Sequence, residues 1–152
     1  MIKQICLLIL CFIGSHGGAK AQHSEKDTTA IKGVIIDFFE LFSQDDLKYL
    51  ERNCTSDFEL YEVGTRWTND TLINLINKRK THKKTWERAN EFNFISFKVQ
   101  KNIAWVGYYN TAHLTNITTQ QKRKVRWLES AILVKKKRKW WLVQMHSTVI
   151  DK

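Results

Sequence analysis

Residues 127–148 read WLESAILVKKKRKWWLVQMHST. Two apolar runs flank five consecutive cations, Lys135 to Lys139. β-Branched and aromatic residues dominate both runs, so the stretch reads as a β-hairpin with charge at its bend. With Lys137-Arg138 as a two-residue turn, Lys136 faces Lys139 and Val134 faces Trp141. An uninterrupted ladder then sets Ile132 against Val143 and Glu129 against His146. A hairpin tip needs no partner to explain its cations. An anion site built from them is the alternative reading.

The same period of two extends upstream to Glu91. Strands are expected at 92–100, 103–114, 124–136 and 139–150. Lys101-Asn102 can form another two-residue turn, with Asn tolerating positive φ. Ile95, Phe97, Val99, Ala104, Val106 and Tyr108 then share one face. Phe94, Ser96, Lys98, Trp105, Gly107 and Tyr109 share the other. The first set suits a core; the second is half polar and half aromatic. Strands this long in a small domain imply a strongly bent antiparallel sheet.

The N-terminal half changes period. Ile31, Val34, Ile35, Phe38, Leu41 and Phe42 form the apolar stripe of an amphipathic helix, with Asp27 or Thr28 as its cap. Ser43 or Asp45 can cap a short helix carrying Leu47 and Leu50. Residues 57–63 read as a strand, and Thr68 or Asn69 can cap a third helix with Leu72, Ile73 and Ile76. Helices followed by a meander make an α+β fold, with the helices packed on one face of a curved antiparallel sheet.

Residues 1–21 have the layout of a signal peptide: Lys3, an apolar run from Ile5 to Ile13, and Ala19-Lys20-Ala21 before Gln22. The run is shorter than the roughly 20 residues of a membrane span. The expectation is an exported protein, periplasmic or secreted, with one domain at 22–152. Cleavage lowers Lys+Arg from 25 to 23 against 15 acids, leaving a net charge of about +8. Cys54 then stands alone, so stability must come from a packed core and not from an intrachain disulfide.

Residues 35–64, IIDFFELFSQDDLKYLERNCTSDFELYEVG, and the hairpin at 127–148 together resemble the two ends of a known family. The first shows a helix, a short helix opened by an acidic-leucine pair, then a strand. The second shows a Glu before an aliphatic strand, a tight turn into Trp, and a His-Ser ending. The chain is similar to the nuclear transport factor two-like superfamily, in its SnoaL-like and ketosteroid-isomerase-like branch of small secreted bacterial domains. The resemblance implies a conical α+β barrel with a pocket between helices and sheet. It also implies frequent dimerisation through the sheet's outer face, here Phe94, Trp105 and Tyr109. The family often has glycine in the last turn, where this chain has Lys137-Arg138.

Glu129 and His146 are the candidate catalytic pair. Directly opposed, they would lie with Cβ atoms roughly 5 Å apart, and a carboxylate beside an imidazole raises and orients it for acid–base work. A structural hydrogen-bonded pair is the other reading, and the face they occupy stays open. Tyr61, Trp67, Tyr108, Asn110, Phe38 and Phe42 are candidate ligand-binding residues, with packed core aromatics as the alternative. The histidines show no metal-ligand spacing, Cys54 has no assignable base, and no phosphate-binding glycine loop or cofactor motif is present. The expected partner is a small, partly apolar molecule.

Three basic segments complete the inventory: 78–84, 122–126 and 135–139. If they converge, with Trp86 and Trp127 as stacking aromatics, they would attract a polyanion such as an envelope polymer. Solvated basic loops are the plainer reading.

Overall fold

The structure is a computed structural model and describes residues 18–151. Residues 1–17, and with them most of the signal-peptide reading, lie outside the described residues. The first helix, α1, spans Gly18–Gln44. It does not begin at Asp27 or Thr28, because Ala, Gln, Glu and Lys upstream all favour helix. Asp27 has a different task. It is only 7% exposed, and its carboxylate accepts from the Trp140 indole N–H at 3.0 Å and from the Lys135 ammonium. The expected stripe is buried: Ile31, Ile35, Phe38 and Leu41 are fully enclosed. This face lies across the sheet, against β3 and β6.

The short helix α2 covers Lys48–Asn53. Its cap is neither Ser43 nor Asp45. The Asp46 carboxylate accepts the Lys48 N–H at 3.1 Å, while Asp45 turns the chain at φ 53° and pairs with Arg79. β1 (Cys54–Glu62) turns through Val63 and Gly64 into β2 (Thr65–Thr68), a four-residue strand with too little pattern to be read from the sequence. α3 (Asn69–Lys80) starts where expected. Thr68 caps it in a reciprocal box with Thr71. Lys78, Arg79 and Lys80 close its last turn, where the helix dipole favours cations.

Four long strands follow: β3 (Trp86–Gln100), β4 (Ile103–Asn116), β5 (Lys122–Lys136) and β6 (Lys139–Asp151). Strand β3 begins before the expected Phe92. The six-stranded sheet has the order β2-β1-β6-β5-β4-β3. The pairing is antiparallel except for β1 on β6, which is parallel. The expected α+β architecture of helices on a curved sheet is therefore present, and the sheet stays open between β2 and β3.

Both two-residue turns fall where the sequence placed them. At the first, Lys101 takes the positive φ of 54° in place of Asn102. At the second, Lys137 and Arg138 both take positive φ, 49° and 68°, the geometry of a type I′ turn.

Between the turns, the expected register fails in two strands. Phe94 pairs with Tyr108, but Ser96 pairs with Gly107, so Ile95 is an extra residue in β3. Ile95 is 53% exposed and Phe94 turns inward onto Phe92, Phe97 and Tyr108. This reverses the faces expected for both and removes Phe94 from the outer surface. Gly107 admits the bulge, since a Cβ there would sit 2.7 Å from the Ser96 hydroxyl. In β6, Leu142 pairs with Leu133 but Gln144 pairs with Ile132, so Val143 is extra. From Gln144 to Val149 the β6 side chains change face: Glu129 stands opposite Ser147, and His146 opposite Ser130.

Two measurements check these features. Arg138→Gly should stabilise the protein by about 1 kcal/mol by relieving a left-handed non-glycine residue, seen as a higher urea midpoint. Asp27→Ala leaves Lys135 and the Trp140 N–H without this acceptor. It should cost about 3 kcal/mol in the same assay, and Asp27→Asn should cost less.

Candidate functional site

A cavity of about 230 Å³ lies between the helices and the sheet. Phe38, Phe39 and Phe42 of α1 form one wall; Leu75 and Arg79 of α3 form another. The sheet contributes Leu60 and Glu62 from β1, Trp67 from β2, Arg88 from β3, Trp127 and Glu129 from β5, and Met145 from β6. A larger depression of about 450 Å³ lies on the outer sheet face beside Lys98, Trp105, Gln144 and His146. The smaller cavity holds the buried carboxyl of Glu129, with the half-buried Glu62, Arg79 and Arg88 around it, and is where chemistry can be organised.

Strand pairing places a row of side chains across its floor: Glu62 beside Ser147, Ser147 beside Glu129, Glu129 beside Tyr108, and Tyr108 beside Phe94. Glu129 is 5% exposed. The Ser147 hydroxyl donates to its Oε1 at 2.9 Å, and Oε2 has no hydrogen-bond partner. Burial pushes the carboxyl up to about 7; Ser147 and Tyr108 pull against that shift, Glu62 adds to it, and Arg88 opposes it. The Tyr108 phenol is fully buried beside Glu129 but closes no hydrogen bond of normal geometry. Burial, and then Glu129, push its ionisation well up. One row away, Asn110 is fully enclosed with neither amide atom partnered.

Arg88 faces this floor from β3. Its Nε donates to Asn90 Oδ1 at 3.0 Å. Its guanidinium carbon sits 5.5 Å from the Phe42 ring centre and 5.4 Å from that of Trp127. Burial opposes its charge, Glu129 supports it, Arg79 opposes it and Glu62 supports it. Arginine nonetheless stays protonated. Arg79, also on the cavity wall, donates to the Phe42 carbonyl at 3.1 Å and pairs with Asp45 at 2.8 Å.

Of the candidates read from sequence, Glu129, Phe38, Phe42 and Trp67 line the cavity. Tyr108 and Asn110 are buried on the adjoining strand. Tyr61 is elsewhere: it pairs with His146 on the outer side and donates to Glu59 at 2.6 Å. His146 is exposed on that outer side, so the expected Glu129–His146 couple does not form. The β6 bulge is the reason, and it was visible as Leu142 and Met145 standing three apart within a period-two strand. Phe94 and Phe97 show the same spacing in β3. Arg88, Trp127, Glu62 and Ser147 were missed as site residues. Extending the phase of Phe92 and Phe94 back along β3 would have placed Arg88 on the inner face.

The basic segments separate into two groups. Arg123 lies 4.8 Å over Trp86, joining 122–126 to the end of 78–84 at one edge of the sheet. The 135–139 tip is at the far end of β5. There Lys135 is held by Asp27, while Lys139 donates to the Arg52 carbonyl and covers Trp141. Burial raises the Cys54 thiol well above its usual range, which suits a packed side chain and not a nucleophile. Among the described residues, no three His, Cys, Asp or Glu side chains converge, and no helix is long and apolar enough to cross a membrane.

No protein-family model matches the chain, and no curated protein matches its sequence. Solved structures do match its shape. A nuclear transport factor 2-like superfamily protein from Salmonella enterica superposes with a TM-score of 0.67 at 14% identity, covering 85% of this chain and 94% of that one. A ketosteroid isomerase-like protein from Erwinia carotovora gives 0.63 at 16% identity, covering 82% and 96%. A type 2 hexachlorocyclohexane dehydrochlorinase gives 0.68 at 10% identity, covering 85% and 88%. The chain therefore has the nuclear transport factor 2-like fold, as the resemblance implied.

Glu129 also makes a pH prediction. Its proton is held more tightly in the folded chain, up to about pH 7, than at the ordinary value of 4.5. Its contribution to stability is therefore full below pH 4.5 and is lost as the pH rises through 7. Comparing urea unfolding at pH 5 and pH 8, the wild type should lose up to about 3 kcal/mol that Glu129→Gln does not lose.

Proposed function

We propose that the protein binds a small, partly apolar molecule in the cavity and that Glu129 exchanges a proton with it. The observation that carries this reading is the unpartnered Oε2 of a buried carboxyl, poised near neutrality beside an aromatic-lined hollow. Such a group serves as acid and base at the same pH. The Tyr108 hydroxyl stands next to it and acts on its ionisation without closing a hydrogen bond of normal geometry. Two of the structural neighbours are named as an isomerase-like protein and a dehydrochlorinase, which is consistent with acid–base work on this fold. His146 has no part in this reading. Export to the periplasm or beyond belongs to the same proposal and rests on residues 1–21.

A second reading has its own observation. Ile95, Ile103, Trp105 and Leu128 are each at least 40% exposed on the outer side of the sheet. A second copy of the chain covering that face would make the protein a dimer. Sedimentation at micromolar concentration tests it, and a monomer would count against it.

The leading reading is tested by proton exchange. In heavy water near pH 7, the protein should speed deuterium uptake at the α-carbon of a small cyclic ketone, followed by NMR. Glu129→Gln should slow the exchange at least 100-fold while tryptophan fluorescence still reports binding. Equal rates in the two proteins would remove Glu129 from the chemistry.

A further inference from the structure

The cavity wall holds a cation that nothing in the described protein neutralises at contact distance. Arg88 has five N–H donors, and only its Nε is used, on the amide of Asn90. No protein acceptor among the described residues meets its two terminal nitrogens. Glu129 and Glu62 act on it only through space. Phe42 and Trp127 flank the faces of the guanidinium, while its two terminal nitrogens stay open to a further acceptor. A half-buried charge in this condition gains when a further acceptor completes its free donors. Arg79 shows the contrast: at the same cavity it is satisfied by Asp45 and a backbone carbonyl.

We infer that the molecule this cavity accepts carries a single carboxylate, received by the free fork of Arg88 between Phe42 and Trp127. The inference rests on the cavity being the ligand site. A planar carboxylate matches the two parallel N–H groups of a guanidinium end on. A doubly charged phosphate fits less well, because Arg79 is already paired and the carboxyls of Glu129 and Glu62 face the same space. The volume of about 230 Å³ is that of roughly eight liquid waters, which limits the ligand to about one ring with its substituents. Phe38, Phe39 and Trp67 would take the apolar body of such a molecule. Its anionic end at Arg88 would leave the remainder toward Glu129, so the same contact that selects the ligand also orients it.

The test uses the full chain with benzoate and its neutral counterpart benzamide, read by quenching of tryptophan fluorescence and by thermal shift. Benzoate should bind at least tenfold more tightly than benzamide. Arg88→Gln should erase that preference while leaving benzamide binding within about twofold. Arg88→Lys, which keeps the charge and loses the fork, should retain part of the preference. It also serves as the check should Arg88→Gln not fold. Equal affinity of the two probes in the wild type, or a preference for benzoate surviving in Arg88→Gln, would overturn the inference and leave the cavity reading standing. Failure of both probes to bind would overturn the cavity reading itself, and the inference with it.

Discussion

Everything inside this protein depends on where two strands gain a residue. A sheet alternates its side chains with a strict period of two, so one inserted residue exchanges inside for outside along the rest of the strand. Ile95 is that residue in β3 and Val143 in β6. Together they turn Phe92 and Phe94 inward beside Tyr108 and set Ser147 against Glu129. Without the β6 insertion, an imidazole would stand where the serine hydroxyl now does. Bulges also sharpen local twist, which helps long strands curve over the helices and leave a hollow.

The hollow contains an unresolved conflict of forces. A buried carboxyl and a half-buried guanidinium share a lining of Phe, Trp, Leu and Met side chains, yet they do not close on each other. Had they paired directly, each would have satisfied the other and the site would be a structural ion pair. Keeping them apart leaves the carboxyl half-protonated near neutrality, the guanidinium fork open, and Asn110 and Tyr108 with unused polar atoms. Each of these costs stability in the absence of a ligand. Among the described residues, Glu129 on the cavity floor and Tyr108 and Asn110 on the neighbouring strand carry polar atoms without a partner, which fits the proposal of a ligand.

Charge elsewhere in the molecule is handled differently. The cationic tip at 135–139 is partly drawn into the structure. Lys135 reaches Asp27 on α1, and Trp140 joins the same carboxylate through its indole N–H. This ties the last hairpin to the first helix across the whole sequence. Arg79 is likewise tied down by Asp45. Arg88 alone, among the cations lining the cavity, is left with an open fork.

Much of the fold was legible beforehand, because local chemistry specifies it. The i, i+3, i+4 stripe from Ile31 to Phe42, the Thr68 cap, both two-residue turns and the long alternating strands all depend on near neighbours in the chain. Trp67, Phe38 and Phe42 could be named as site residues from their aromatic side chains, and Glu129 from its place in the last hairpin and the family resemblance. The partner of Glu129 could not be read without recognising the bulge, since a single added residue leaves composition and average periodicity almost unchanged. Nor could Arg88 be matched to Phe42 and Trp127, which come from three elements that meet only once the sheet has curved over α1. Apart from the four-residue β2, the sequence by itself thus determined which elements form and in what order. The tertiary structure alone decided which polar groups would be buried together, because that choice depends on register and curvature, and both are set by packing between residues far apart in the chain.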